Sequence, residues 1–165
     1  MLPDILRNHL QYSAWASGLL LEAAAELTEE ELIRDFHTAD HSVLGTLVHI
    51  FGADRIWLAR IQHSPNPVGL TDEDFSLTVL QKDWPIISDH WIEWADGITE
   101  ESAMATLTYK DLRGNEWTQP LWQIVLHVVN HATHHRGQVA GFLRTMGKTP
   151  PKLDLAHFDR LVKKT

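Results

Sequence analysis

Apolar residues recur every three or four positions over the first part of the chain, which is the period of an amphipathic helix. The spacing predicts a helix from Pro3 to about Glu26, with proline in the first turn and Asp4 beside it. The stretch Thr28-Glu-Glu-Glu31 has the form of a capping box. It predicts a short helical turn before a loop over residues 36–40.

Two further long helices follow from the same spacing. The second runs from about Ser42 to His63 and is ended by Ser64-Pro-Asn-Pro67; the third, after a polar linker through Asp74, covers about 78–95. Pro85 falls within the third helix. It either kinks that helix or marks its first turn, and the pattern alone allows both. The apolar stripe of the third helix consists of Leu80, Trp84, Ile87, Trp91 and Trp94.

A short β-hairpin is predicted before the last long helix. Residues 105–109 and 116–119 alternate polar and apolar character around Asp-Leu-Arg-Gly-Asn, where the glycine suits a turn. Pro120 then begins the fourth long helix, which ends near Met146 with Gly147 as its stop. The pattern predicts an all-α fold, a four-helix bundle with one hairpin.

Size and charge narrow the class of protein. A chain of 165 residues with 44% hydrophobic content suits one core, so residues 1–165 are predicted to form a single domain. The net charge of −8, without a basic stripe, opposes nucleic-acid binding. Seven tryptophans would also suit a cofactor or nucleic-acid surface, but the helical spacing of Trp84, Trp91 and Trp94 favours a core or interface face for these three.

The N-terminus and the absence of cysteine add two expectations. The first residues show no signal-peptide pattern, and no window approaches the roughly 18 apolar residues of a membrane span, so a cytoplasmic protein without membrane contact is expected. With no cysteine, any transition metal must be held by imidazole and carboxylate groups. The eleven histidines are therefore the most informative residues for a metal site.

Four histidines lie on the fourth helix, at His127, His131, His134 and His135. Residues four apart share a helix face about 6 Å apart along the axis, so His131 can pair with either His127 or His135. His127 and His135, about 12 Å apart, cannot both reach one ion with bonds near 2.1 Å. His134 is rotated about 100° from His135 and is the poorest ligand candidate.

A third ligand must come from another helix, and His49 is the best candidate. Gly45 and Gly52 lie one turn before and nearly one turn after it, and we interpret these small residues as room for a second helix to approach. Three neutral imidazoles would leave coordination positions open, as in catalytic rather than structural metal sites. Trp57, two turns later, is a candidate for the mouth of the site.

A purely structural role for these histidines is the competing interpretation. A single HxxxH match among eleven histidines has little specificity, and a partly buried histidine is ordinary. The remaining ones are interpreted as surface residues: His9, His37, His41, His63, His90 and His157.

Missing motifs also restrict the chemistry. The chain has no HExxH, no GxSxG and no glycine-rich phosphate loop. Water or a thiol activated at the metal would therefore be the reactive group, and Asp54 is a candidate proton carrier.

Three segments taken together resemble the DinB-like, damage-inducible (YfiT-related) proteins. They are Tyr12-Ser-Ala-Trp15, Leu47-Val-His49-Ile-Phe-Gly-Ala-Asp-Arg-Ile-Trp57 and Leu126-His-Val-Val-Asn-His-Ala-Thr-His-His-Arg-Gly-Gln138. The Pro150-Pro-Lys-Leu-Asp154 segment is similar too, so the resemblance covers nearly the whole chain.

This resemblance implies an up-down-down-up four-helix bundle, often a homodimer, in which His49, His131 and His135 bind a divalent metal. The resemblance also implies that His127 does not bind the metal itself, but either supports the ligands or lines the pocket. Relatives of this kind include thiol-dependent transferases and isomerases and metal hydrolases. The position of Asp54 often carries glutamate in such proteins, which weakens a role for that acid.

Two functions are consistent with these features. The first is a metal-dependent enzyme that transfers a low-molecular-weight thiol to an electrophile or hydrolyses a small molecule. The second is a non-catalytic, stress-associated dimer that binds metal. Zinc, nickel and iron all accept imidazole, so the sequence leaves the ion open.

Overall fold

Four long helices, three short ones and a two-stranded antiparallel sheet make up residues 1–64 and 69–161, the part of the chain that the computed structural model describes. The long helices are α1 (Leu2–Ala25), α3 (Val43–Ile61), α4 (Leu77–Asp96) and α6 (Leu121–Thr145). The short ones are α2 (Glu29–Ile33), α5 (Glu100–Met104) and α7 (Leu155–Leu161), and the strands are β1 (Thr106–Lys110) and β2 (Glu116–Pro120). The predicted all-α bundle with one hairpin is confirmed.

Local sequence signals set most of the helix ends. Thr28 and Glu31 form the predicted capping box of α2, and the Ser42 side chain accepts a hydrogen bond from the Gly45 N–H at the start of α3. Gly147, with φ of 76°, ends α6 as predicted. Of the predicted stop after the second helix, Pro65, Asn66 and Pro67 lie outside the described residues.

Pro85 lies inside α4, eight residues after its start, so the first-turn interpretation is wrong. A proline there removes one intrahelical hydrogen bond. Burial compensates for that loss, because Trp84 and Trp91, on either side of the proline, are among the least exposed residues of the protein, at 1% and 4%. Neither α5 nor α7 was predicted, since five and seven residues are too few to show a helical period.

The directions of the long helices follow from two hydrophobic clusters at opposite ends of the bundle. One cluster joins the beginnings of α1 and α6 to the ends of α3 and α4, through Leu6, Ile124, Leu58 and Trp91. The other joins the ends of α1 and α6 to the beginnings of α3 and α4, through Leu20, Val139, Leu47 and Leu80. Hence α1 and α6 run one way and α3 and α4 the other, which confirms the up-down-down-up order.

The hairpin leads directly into α6. Its strands pair from Thr106 opposite Pro120 to Lys110 opposite Glu116, and the Leu121 N–H donates to the Ala105 carbonyl. The start of α6 is therefore fixed to the sheet, and α6 packs along α3 on one side and α1 on the other. Within the described ranges, none of the helices combines the length and the apolar character needed to cross a membrane.

Candidate metal centre

Three histidines from two neighbouring helices converge on one point. His49 lies on α3, and His131 and His135 lie one turn apart on the facing side of α6. One side-chain nitrogen from each of them lies within 4.8 Å of the other two. The arrangement is compatible with a divalent metal ion, and it combines the HxxxH spacing with a residue from a second helix.

The separation of the nitrogens suits metal ligands. Nε2 of His49 lies 3.0 Å from Nε2 of His131. Two bonds of about 2.1 Å that meet at about 90° span about 3.0 Å. The His135 ring completes the group, with its centroid 4.4 Å from that of His49 and 4.5 Å from that of His131.

Asp40, in the loop before α3, contacts two of the three histidines from behind. One carboxylate oxygen lies 3.5 Å from Nδ1 of His49, and the other lies 3.5 Å from Nδ1 of His135. Gln138 adds a second partner, with Oε1 2.8 Å from Nδ1 of His135. These contacts favour a proton on each Nδ1, which leaves the Nε2 lone pairs free for an ion.

Gly45, one turn before His49 on α3, was predicted to leave room for a second helix, but it has a different role. A Cβ atom at Gly45 would lie 2.1 Å from the Asp40 carbonyl oxygen, so the missing side chain admits the loop and not a second helix. Gly52 similarly faces the Leu70 side chain. His49 thus joins the group, as predicted. The predicted reason, that Gly45 and Gly52 leave room for a second helix, was wrong.

The environment keeps two of the imidazoles in the form that binds metals. Burial, followed by repulsion from the neighbouring histidines, lowers the pKa of His131 to about 4. Burial also lowers the pKa of His135. Both rings are therefore neutral at pH 7, and a neutral imidazole offers a lone pair without first losing a proton.

The other two histidines of α6 lie outside the group of three. The exposed His134 is not in the group, as its angular position predicts, although its ring lies 4.9 Å from that of His135. The His127 ring lies 5.9 Å from that of His131 and 5.5 Å from that of Trp57. His127 and Trp57 thus extend the aromatic surface from the histidine group toward the hairpin.

That surface continues into a cleft beside the hairpin. The Trp57 ring packs edge-on against Tyr109, at 4.8 Å between centroids, and the Arg60 guanidinium lies 4.5 Å from the Trp57 ring centre. Trp57, Arg60 and Tyr109 line a cleft of about 450 Å³ together with Trp117. None of the three histidines lines this cleft, so the position of Trp57 at the mouth of the site stays a prediction.

Asp54, the candidate proton carrier, does not reach the histidines. It is buried in the bundle, where the Trp84 indole N–H donates to Oδ2 at 2.9 Å. Residue 54 is rotated about 140° from residue 49 around α3, so its side chain points to a different face. Burial raises its pKa to about 6, and the role suggested from the sequence is corrected to a core position.

Four of the six histidines interpreted as surface residues are exposed, and the interpretation does not hold fully for the other two. His37, His41, His63 and His90 are exposed, and His9 and His157 are half-buried. None of them joins the group of three. Asp40 was missed because it lies in a loop, outside any helical register, whereas Gln138 follows His135 by three residues on α6, a spacing that could have revealed it.

Fold and site together define a four-helix-bundle protein with a three-histidine group suited to a divalent metal. A model of the DinB family matches residues 2–163. The chain therefore belongs to the DinB family.

A solved structure has a similar fold. It is a DinB-like protein from Bacillus cereus ATCC 10987, with a TM-score of 0.61 and 21% sequence identity over 86% of this chain and 91% of that one. At this identity the likeness concerns the fold. No curated protein matches the chain.

Proposed function

We propose that this protein is a metal-dependent enzyme that holds a divalent ion with His49, His131 and His135. Its reaction is the transfer of a low-molecular-weight thiol to a small electrophile, or the hydrolysis of a small molecule. The observation that carries the proposal is the convergence of three imidazole nitrogens within 4.8 Å. Three protein ligands that leave further positions open are typical of catalytic metal sites.

The surroundings support a reactive rather than a purely structural site. A bound divalent ion would act as a Lewis acid that favours the deprotonated form of water or of a thiol. Asp40 orients His49 and His135 through their Nδ1 atoms. The His49 side chain remains 40% exposed, so solvent and small molecules have access to the group.

The cleft beside Trp57 offers room for the organic part of a substrate. It begins next to His127, which itself adjoins His131, and its walls are aromatic. Arg60 adds a positive charge at the same place. A small electrophile with a planar or apolar body suits these walls.

The ion is zinc, nickel or iron in this proposal, since imidazole nitrogen serves all three. Elemental analysis of the purified protein, reloaded with each metal, tests the site. We expect about one ion per chain, and loss of that ion in His49→Ala, His131→Ala and His135→Ala. His90→Ala, which removes an exposed imidazole from α4, should keep the ion. Equal metal content in all these variants would overturn the site.

Turnover needs a separate measurement. The metal-loaded protein is incubated with low-molecular-weight thiols and 1-chloro-2,4-dinitrobenzene, and with ester and amide substrates in parallel. A rate above that of the His131→Ala variant is expected for one of the two reactions. Stoichiometric metal without any turnover would overturn the enzymatic proposal and leave the metal-binding dimer in its place.

Three broader expectations accompany the proposal. A single domain over residues 1–165, a homodimer and a cytoplasmic location rest on the sequence and on the family resemblance. Analytical ultracentrifugation of the full chain tests the dimer.

A further inference from the structure

A cavity lies on the side of α6 that faces away from the three histidines, none of which lines it. It has a volume of about 790 Å³, which is within the usual range for small-molecule sites. Val129, Thr133 and Ala140 of α6 line it and lie about half a turn from His131, and Arg136, which also lines it, is rotated about 100° from His135. The cavity is thus separate from the candidate metal centre.

The second wall of the cavity is the segment that follows α6. Residues 150–155 form this wall, and Tyr12 of α1 holds the segment in place by donating a 2.7 Å hydrogen bond to the Leu153 carbonyl. The Phe158 ring, 6.0 Å from that of Tyr12, packs behind it. This wall is therefore anchored to the core, and the cavity is part of the folded architecture.

The lining combines an apolar surface with positive charge. Leu126, Val129, Ala140, Pro150, Pro151, Leu153 and Leu155 supply the apolar part. Arg136, Arg144 and Lys152 supply three positive charges, against one carboxylate, that of Asp154. This excess of positive charge is notable in a chain whose net charge is −8.

Arg136 is the most unusual of these cations, since it is 1% exposed. Its guanidinium donates to neutral oxygens only, those of Ser13, Ser17 and Thr133. Its Nε–H is buried and has no hydrogen-bond partner. Among the described residues no carboxylate lies within salt-bridge distance of it, although buried charges are ordinarily paired, and the buried carboxylate of Asp54 attracts it only from farther away.

Exposed Arg144 and Lys152 likewise form no salt bridge within the described part of the chain, and both lie at the rim of the cavity. An anion bound there would meet their mobile donors and the potential of Arg136 below them. The low dielectric around the buried Arg136 strengthens the attraction between its charge and the anion relative to bulk water. The apolar lining would cover a hydrocarbon body attached to the anionic group.

We propose that this cavity binds a small amphipathic carboxylate, whose anionic head lies near Arg144 and Lys152 and whose apolar body lies between α6 and residues 150–155. The shape argues for this occupant over a second copy of the chain, because a recess of about 790 Å³ suits a small molecule, whereas a dimer needs a broad complementary face. The three cations then select an anionic head group over a neutral one. The site does not depend on the metal centre.

Isothermal titration calorimetry with decanoate, below its critical micelle concentration, tests the proposal. Decanol is the matched neutral probe, with the same chain and no charge. Decanoate should bind once per chain and at least tenfold more tightly than decanol. His131→Ala should bind decanoate as the unaltered protein does, because the site is independent of the histidines. Equal binding of the two probes, or loss of binding in His131→Ala, would overturn the proposal.

Two variants place the binding in the cavity. Arg144→Gln with Lys152→Gln should weaken decanoate binding by roughly tenfold. Arg34→Gln with Lys82→Gln, which removes two exposed cations elsewhere, is the charge-matched control and should change nothing. Unaltered affinity in the first double variant would contradict the site.

Gly137→Leu fills the cavity without disturbing the core. Gly137 lines the cavity, and a Cβ atom there would meet nothing within 4 Å. The variant should fold at least as stably, because leucine favours helix, and it should not bind decanoate. Unchanged decanoate binding in Gly137→Leu would contradict the site. If the unaltered protein does not bind decanoate and Gly137→Leu loses a dimer, the proposal is also overturned.

Discussion

Oδ1 of Asp40 lies 3.5 Å from Nδ1 of His49, across the junction between a loop and the helix that follows it. The second oxygen of the same carboxylate has the same distance to Nδ1 of His135 on another helix. One acidic side chain therefore links the two helices that carry the candidate metal ligands.

Replacing Asp40 by asparagine should weaken metal binding about 10- to 100-fold, because the amide lacks the negative charge that faces both Nδ1 atoms at 3.5 Å. Competition with a chromogenic chelator measures the change. Asp89→Asn, which removes an exposed carboxylate on α4, is the control and should keep the original affinity. Equal affinities for the two variants would show that Asp40 does not position the ligands.

Gly45→Ala should disturb both the loop and the site. The new Cβ atom would lie 2.1 Å from the Asp40 carbonyl oxygen, so the loop must move. We expect a loss of roughly 1–3 kcal/mol in the free energy of unfolding, together with weaker metal binding. Urea denaturation of the metal-free protein and chelator competition measure the two effects.

Gly18→Ala provides the matched comparison for that variant. Gly18 also lies within a long helix, and a Cβ atom there meets nothing within 4 Å. This change should raise the free energy of unfolding by roughly 0.5–1 kcal/mol and leave metal affinity unchanged. A similar effect of both substitutions would contradict the close approach of the loop at Gly45.

Asp54→Asn should change the pH dependence of stability. Burial raises the pKa of Asp54 in the folded protein to about 6, above the ordinary value of 3.8. The folded state therefore holds this proton more tightly, and the stability it contributes below pH 4 is lost as pH rises through 6. Asparagine carries no charge. The free energy of unfolding of the variant, relative to that of the unaltered protein, should therefore rise between pH 4 and pH 6 and above, by about 3 kcal/mol at most.

Urea denaturation of both proteins between pH 4 and pH 7.5 measures this difference. The titrations of the histidines are common to the two proteins and cancel in the comparison. A difference that stays constant with pH would contradict the raised pKa of Asp54.

Trp84→Phe should destabilise the protein by removing the indole N–H that donates to Asp54 at 2.9 Å. A buried acceptor without a donor costs about 1–3 kcal/mol. The loss should be larger at pH 7.5 than at pH 4.5, because the carboxylate is ionised only at the higher pH. Trp94→Phe makes the same change of ring at a half-buried position of α4 and should lack this pH dependence.

Much of the fold was predictable because its signals are local. The apolar stripe of α4, the capping residues Thr28 and Ser42 and the stop at Gly147 each act within a few residues of the chain. Pro85 is the exception. Proline disfavours the interior of a helix, but the burial of Trp84 and Trp91 outweighs this local preference.

The site divides along the same line. Helical geometry by itself established that His131 pairs with one neighbour four residues away and that the third ligand comes from another helix. The family resemblance pointed to His135 and His49, and the packing of α3 against α6 brings these residues together. The role of Asp40 was decided by that packing, and the depth of Asp54 by the packing of α3 against α4, which carries Trp84, because these contacts join elements that are distant in sequence and adjacent in space.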